Sequence, residues 1–332
     1  MKKIIIVLII FIFLSGCTNN SIKNEVNVLN WSSYIPYQVI TDFQNETGIK
    51  VNYGTYSSNE ELLAKISSSK EGTYDLIFPS DYMIELMISK NMLDKIDTFR
   101  IYNINNINPL FLNQEFDMFN EYSLPFLAAT SVLCVNREHI KDNIVKYNDL
   151  LNPKYKNNIV LLDDQRIVIG MALQANGYKM NETNEDALNK AKNWLLNINP
   201  NVKAFDSDSP KTLLITNEVD IGVIWNAEAT IAKSYNDNIE IIYPSDGFAI
   251  SLDNYAIVKG AKNKLNAYRF IDYLLRDDVQ QKIIEEYPYI NTTINNMNLS
   301  YEELNYILDH GSYVKNIGFN ISKYDKVWAQ IK

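Results

Sequence analysis

The 332-residue sequence has only two cysteines, two histidines and eleven glycines. Cys17 lies in the leader, so a folded domain retains Cys134 alone, which excludes an internal disulfide and a cysteine metal site. His139 and His310 have no ligand partner at metal spacing. No HExxH, no nucleophile elbow, no phosphate-cradling glycine loop and no dinucleotide fingerprint occurs, so neither a metal nor a cofactor is expected. Basic charge is also short. Lys and Arg number 31 against 40 Asp and Glu, a formal net charge of −9. Nucleic-acid binding needs clustered cations and is therefore excluded as a first reading. Beyond the N-terminus there is no long apolar run, repeat or low-complexity tract.

What is present begins with a leader. Lys2 and Lys3 precede an apolar run from Ile4 to Leu14, then Ser15-Gly16-Cys17. A positive start, a short apolar stretch and a small-residue end read as a secretory signal peptide over 1–16. The apolar run is about half the roughly twenty residues that a membrane span needs. LSGC resembles the lipobox of bacterial lipoproteins, which implies Cys17 as the lipidated first residue of the mature chain and 17–25 as lipid anchor and polar tether. Removing Lys2 and Lys3 takes the net charge from −9 to −11. An acidic exported chain is compatible with a cationic ligand.

The remaining 300 or so residues predict two lobes built from alternating strands and helices. VNVLNW reads as a strand, and Pro36 opens a helix carrying Val39, Ile40 and Phe43, with Gly48 as its stop. IKVNYGTY (49–56) is a strand, and Ser58 with Glu61 makes a capping box. YDLIFPS (74–80) is a buried strand, with Ser80 or Asp81 capping the helix that follows. This order implies a parallel sheet with right-handed crossovers. Further along, ATSVLCVN (129–136) reads as a buried strand joining the lobes and ISLDNYAIVKG (250–260) as the return crossing. YKNNIVLLDDQR (155–166) is a strand ending in two aspartates, and VDIGVIWNAEAT (219–230) runs from strand to helix. NAYRFIDYLLRDDVQQKIIEEY (266–287) reads as one long amphipathic helix, with Phe270, Leu274, Val279 and Ile283 inward.

Ligands of such sheets sit outside the carboxyl ends of the strands. Those ends carry aromatics and acids: Trp31, Tyr34, Tyr82 and Trp225, with Asp164, Glu228 and Asp253. Any one alone is an ordinary structural residue, but their recurrence at successive strand ends matches what a desolvated organic cation requires. Ring faces attract positive charge for about 0.5–2 kcal/mol each. A charge-assisted hydrogen bond adds about 1.5–3 kcal/mol. Buried methylenes add roughly 0.8 kcal/mol apiece. Asp163 and Asp164 are adjacent, so on a strand only one would face a cleft. Cys134, flanked by Leu133 and Val135, reads as a small buried residue rather than a nucleophile.

Several stretches resemble the polyamine (spermidine/putrescine)-binding proteins of bacterial ABC importers. They include NWSSYIP, FQNETGIKVNYGTYSSNEELLAKI, GTYDLIFPSDYMIELM, AFDSDSP, IGVIWNAEA and FIDYLLRDDVQQ. The resemblance runs from residue 27 to the C-terminus. It implies a type II periplasmic-binding-protein clamp, α/β in class, with two mixed sheets flanked by helices and joined by a two-strand hinge. Lobe 1 would comprise 26–129 and 253–296, and lobe 2 130–252 and 297–332. It implies ligand contacts from Trp31, Ser32, Tyr34, Ser80, Tyr82, Asp164, Ser207, Trp225, Asp253 and Tyr287. Glu228 joins them, standing where putrescine-binding and many other members place an acid. The partners implied are a polyamine and the permease subunits of the importer; the chain would be a monomer touching the membrane only through its lipid. Four positions depart from the spermidine-binding pattern: Ser33 and Ile167 replace acids, Ser251 a tryptophan and Val314 a glutamine. Rival readings are a clamp for an amino-acid derivative or a sugar, an enzyme on the same clamp using Cys134, and a sensor of polyamine.

Overall fold

The structure is a computed structural model and describes residues 24–332. The predicted leader, Cys17 and most of the tether lie outside the described residues. The chain opens with β1 (Glu25–Trp31), α1 (Tyr37–Thr47), β2 (Lys50–Tyr56), α2 (Asn59–Ser68), β3 (Leu76–Ile77), α3 (Asp81–Ser89) and the short β4 (Leu93–Asp94). β1 pairs in parallel with both β2 and β3, as strand–helix–strand order requires. α1 buries Val39, Ile40 and Phe43 and stops where Gly48 adopts φ 68°, its N–H donating to the Gln44 carbonyl. A side chain there would strain that left-handed turn. On α2, Ser58 accepts from the Glu61 N–H, but the returning carboxylate of Glu61 is taken by the N–H and hydroxyl of Ser57, so only half of the expected capping box forms.

The second half of the fold hangs on β5 (Ser123–Asn136), which has all fourteen residues buried. After it come β6 (Ile159–Leu161), α4 (Gln165–Ala175), α5 (Glu185–Ile198), β7 (Val202–Phe205), α6 (Pro210–Ile215), β8 (Ile221–Trp225), α7 (Asn226–Tyr235) and β9 (Ile239–Ile242). β10 (Phe248–Val258) is likewise buried throughout. The chain then runs through α8 (Lys264–Leu274), α9 (Asp277–Glu286), β11 (Ile290–Asn291), α10 (Tyr301–His310), β12 (Gly311–Tyr313) and α11 (Ile321–Ile331).

The main sheet path is β2-β1-β3-β10-β5-β8-β6-β7. The first part of β5 pairs antiparallel with β10, and its last residues pair with β8 and β9. β5 and β10 therefore cross between two halves, each with its own core. One core gathers Val28, Phe43, Phe78, Phe126, Tyr255 and Phe270. The other gathers Leu133, Ile169, Trp194, Ile221 and, from α11, Tyr324 and Val327. This is the two-lobed α/β clamp. Strands buried on both faces need continuous apolar runs, which is why β5 and β10 do not alternate. Between lobes the strand pairing slips: Asp253 stands opposite Leu127 and Asn254 opposite Pro125, leaving Phe126 as the extra residue of a bulge. Pro125 lacks an N–H and fits such a position.

The single helix expected over 266–287 is two helices. Arg276 is extended (φ −69°, ψ 141°) between α8 and α9. The sequence signal was the five-residue step from Leu274 to Val279, which breaks helical phase. Gln280 closes the break, donating to the Leu274 carbonyl at 2.6 Å and accepting from Asn291 at 2.7 Å, fully buried. Replacing it strands a carbonyl and an amide in the core. We expect Gln280→Ala to lower unfolding stability by about 2–4 kcal/mol in urea titration, with ligand binding by the folded fraction unchanged.

Candidate ligand-binding cleft

A narrow cavity of about 130 Å³ lies at the carboxyl ends of the strands, between the halves. Its depth is Asp253, on β10 just before the bulge. An isolated antiparallel bridge joins Ser80 to Asp253 and carries the Ser80 side chain beside the carboxylate. The Ser80 hydroxyl donates to one carboxylate oxygen at 2.6 Å and the Tyr34 phenol to the other at 2.7 Å. Ser80 holds the position before α3, yet its side chain does not cap the helix, because the hydroxyl is committed to Asp253. Burial holds the Tyr34 phenol well above its ordinary pKa, with the Asp253 charge as the next cause, so it stays protonated and donates.

Asp253 is buried with neutral donors only. Burial pushes its pKa up from 3.8 to about 6, against the pull of the hydrogen bonds from Ser80 and Tyr34. Asp164 is a second acid of the wall, half-buried. It caps α4, one oxygen accepting from the N–H groups of Arg166 at 2.8 Å and Ile167 at 3.2 Å. Burial again raises its pKa. Asp253 is thus a carboxylate desolvated before any partner cation arrives, an arrangement that favours binding positive charge.

Rings wall the cleft. Trp31 sits 4.7 Å, centroid to centroid, from Tyr56, and its indole N–H donates to the Phe78 carbonyl at 3.0 Å. That carbonyl also accepts from the Tyr56 hydroxyl at 2.6 Å, so the strand end locks both rings. Tyr34 packs 4.5 Å from Tyr289. The ring of Tyr82 carries the Arg166 guanidinium at 4.2 Å, and its hydroxyl donates to Glu60 at 3.2 Å. Trp225 ends β8, and Glu228 stands one turn into α7 with both carboxylate oxygens 2.8 Å from the Lys211 ammonium. Among the described residues, no lysine, arginine or histidine lines the cavity.

The structure brings Trp31, Ser32, Tyr34, Ser80, Tyr82, Asp164, Ser207, Trp225, Glu228 and Asp253 onto this one wall. Tyr287 is not on it. A tight turn, with the Tyr289 N–H bonded to the Tyr287 carbonyl at 2.8 Å, redirects the chain, so that Tyr289 lines the cleft while Tyr287 packs half-buried against the first core. Asp163 and Asp164 both reach the wall, because the strand has ended at Leu161 and strand alternation no longer applies. Sequence reasoning also missed Tyr56, Ser57 and Glu60. They follow β2, another parallel strand, and the rule that pointed to the ends of β1 and β3 points equally to this one. Ser33, Ile167, Ser251 and Val314, the four departures, all stand in the wall.

Over residues 38–301 the sequence matches the profile of the bacterial extracellular solute-binding proteins. This chain is a member of that family. The spermidine/putrescine-binding periplasmic protein of Escherichia coli is 35% identical over 321 residues, covering 93% of this chain and 92% of that protein. The spermidine/putrescine-binding periplasmic protein 1 of Haemophilus influenzae is 29% identical, with 96% and 95% covered. Among solved structures, the spermidine/putrescine transporter substrate-binding protein PotD of Streptococcus pneumoniae superposes with a TM-score of 0.79 at 30% identity, covering 92% of this chain and 98% of that one. The TpPotD lipoprotein of Treponema pallidum shares the fold, with a TM-score of 0.85 at 24% identity and 93% and 99% covered.

The raised pKa of Asp253 gives this solute-binding protein a pH signature. Its folded value, about 6, exceeds the ordinary 3.8, so its contribution to the unliganded protein's stability is present below about pH 4 and lost as pH rises through about 6. A bound cation stabilises the ionised form and lowers that value. Binding of an organic cation near pH 6 should therefore release a proton, and the release should fade by about pH 7.5. Calorimetric titration in buffers of different ionisation enthalpy measures it; proton uptake near pH 6 would refute the assignment.

Proposed function

We propose that this protein is the substrate-binding component of an ABC importer for polyamines, a binder and not an enzyme. One observation carries the reading: the buried Asp253 carboxylate, clamped by Tyr34 and Ser80, meets no cation among the described residues and faces a cavity walled by Trp31, Tyr34, Tyr82 and Trp225. A protonated amine supplies the missing charge, and the rings take both its positive charge and its methylenes. The names of the relatives in Escherichia coli, Haemophilus influenzae and Streptococcus pneumoniae agree with this. A carboxylate or phosphate ligand would need a basic group in the wall, and none of the described residues supplies one. Neutral sugars leave the Asp253 charge without compensation.

The mechanism is capture. The lobes, divided in this proposal at 129/130 and 252/253, close on the cation and bury it. The closed clamp is then presented to the permease. Anchoring through a lipid on Cys17 keeps this monomer beside its permease at the outer face of the membrane. An enzyme using Cys134 finds no support: that thiol is fully buried in β5, and burial pushes its pKa well up. A thiol reagent should leave it unlabelled in the native protein and label it in urea.

The mature chain with Cys17→Ser, refolded to strip ligand, should bind at least one of putrescine, cadaverine, spermidine and spermine at about micromolar Kd or tighter, near −8 kcal/mol. Asp253→Ala should weaken that binding by about a hundredfold or more, since the amine loses a desolvated charge partner. Trp225→Ala should cost about tenfold. Absence of heat and of thermal shift with every polyamine would sink the reading.

A further inference from the structure

The acids of the cleft differ in what already holds them. Asp253 receives two neutral hydroxyls and Asp164 two backbone N–H groups. Glu228, also buried at 8% exposure, is held differently. The Lys211 ammonium lies 2.8 Å from each of its oxygens. The side chains are 24% and 10% exposed, so the pair is largely withdrawn from water. Lys211 does not serve its own helix. It stands next to Pro210 in the first turn of α6, where the positive end of the helix dipole disfavours a cation. What holds it there is Glu228, one turn into α7.

From behind the wall, the pair takes up a lining carboxylate that a ligand amine would otherwise meet. We propose that Lys211 is a specificity-determining residue, a built-in ammonium that occupies Glu228 and leaves the depth of the cleft with two carboxylates that no lysine pairs among the described residues, Asp253 and Asp164. The ligand that matches is a diamine, one ammonium at each. Glu60 and Asp208 also line the wall but stand exposed to water, so a triamine that seats its third charge at depth has to displace Lys211 from a partly desolvated pair and gains little over the diamine. Ser33 and Ile167 fit the same account, since each puts an uncharged side chain on the wall. This inference rests on the polyamine reading above and adds the substrate class within it.

The test is calorimetry of putrescine and spermidine on the refolded mature chain with Cys17→Ser, reading the ratio of the two affinities. Wild type should favour putrescine or hold the two about equal. Lys211→Met frees Glu228 and should shift the ratio towards spermidine by about tenfold or more, the worth of one charge-assisted hydrogen bond. Lys211→Arg keeps the pair and should keep the ratio within about twofold. Adding Glu228→Gln to Lys211→Met should remove the gain. Lys332→Met is the control for the general field. Lys332 pairs with Asp163, another wall residue, and is exposed, so its loss removes the same charge without freeing a buried acid. An unchanged ratio in Lys211→Met with both amines still bound overturns the proposal. So does an equal shift in Lys332→Met, which would make the effect one of net charge. If folded wild type binds neither amine, the polyamine reading itself falls and this inference with it. A thermal melt of each variant separates loss of binding from loss of fold.

Discussion

A carboxylate taken out of water without a cation is costly, and the fold is arranged around keeping one there. Asp253 retains its place because Tyr34 and Ser80 donate to it from β1's exit turn and from the start of α3. Neutral donors recover part of the lost hydration and leave the charge uncompensated. What remains is a standing demand for a cation, and a binding protein needs little more than that demand and a shape. The energy that burial withholds from the unliganded protein returns when an ammonium arrives. Both the affinity and the pH dependence follow from the same withheld hydration.

Sheet geometry puts that carboxylate at the joint between the lobes. β10 carries Asp253 opposite β5, beside the bulge at Pro125 and Phe126, where pairing slips by one residue. The same two strands link the two cores, so the deepest acid lies on the connection about which lobes of a clamp move. The remaining wall comes from strand ends of both halves: β1, β2 and β3 on one side, β6 and β8 on the other. A ligand touching both sets stabilises their approach by whatever it gains in the closed state over the open one. Glu228 shows that acids in the wall are not equivalent. Its partner is a lysine of the protein, so counting carboxylates overstates the positive charge that the cleft accepts.

Much of the wall was legible before the structure, for a physical reason. Parallel strands expose their carboxyl ends at one edge, so residues such as Trp31, Tyr82, Asp164 and Trp225, each just past an apolar run, fall on a common rim. The misses share a cause as well. Ser57 and Glu60 stand beside the capping pair Ser58 and Glu61, and Tyr56 ends its strand, although β2 ends at the same edge. Tyr287 and Tyr289 differ by two residues, and only the turn between them decides which ring enters the cleft. One long helix was read where two exist, because apolar residues on either side of Arg276 each keep helical spacing.

By itself the sequence determined the class of the molecule: an exported, acidic α/β chain of two lobes with aromatics and acids at its strand ends. Those are consequences of local pattern, of periodicity and of which residue follows which strand. Tertiary structure alone decided the partner of each acid. Whether a carboxylate meets water, a hydroxyl or an ammonium depends on residues far away in the chain, as Asp253 on Tyr34 and Glu228 on Lys211 show. Desolvation is a property of everything packed around a group, and no local stretch of sequence contains it.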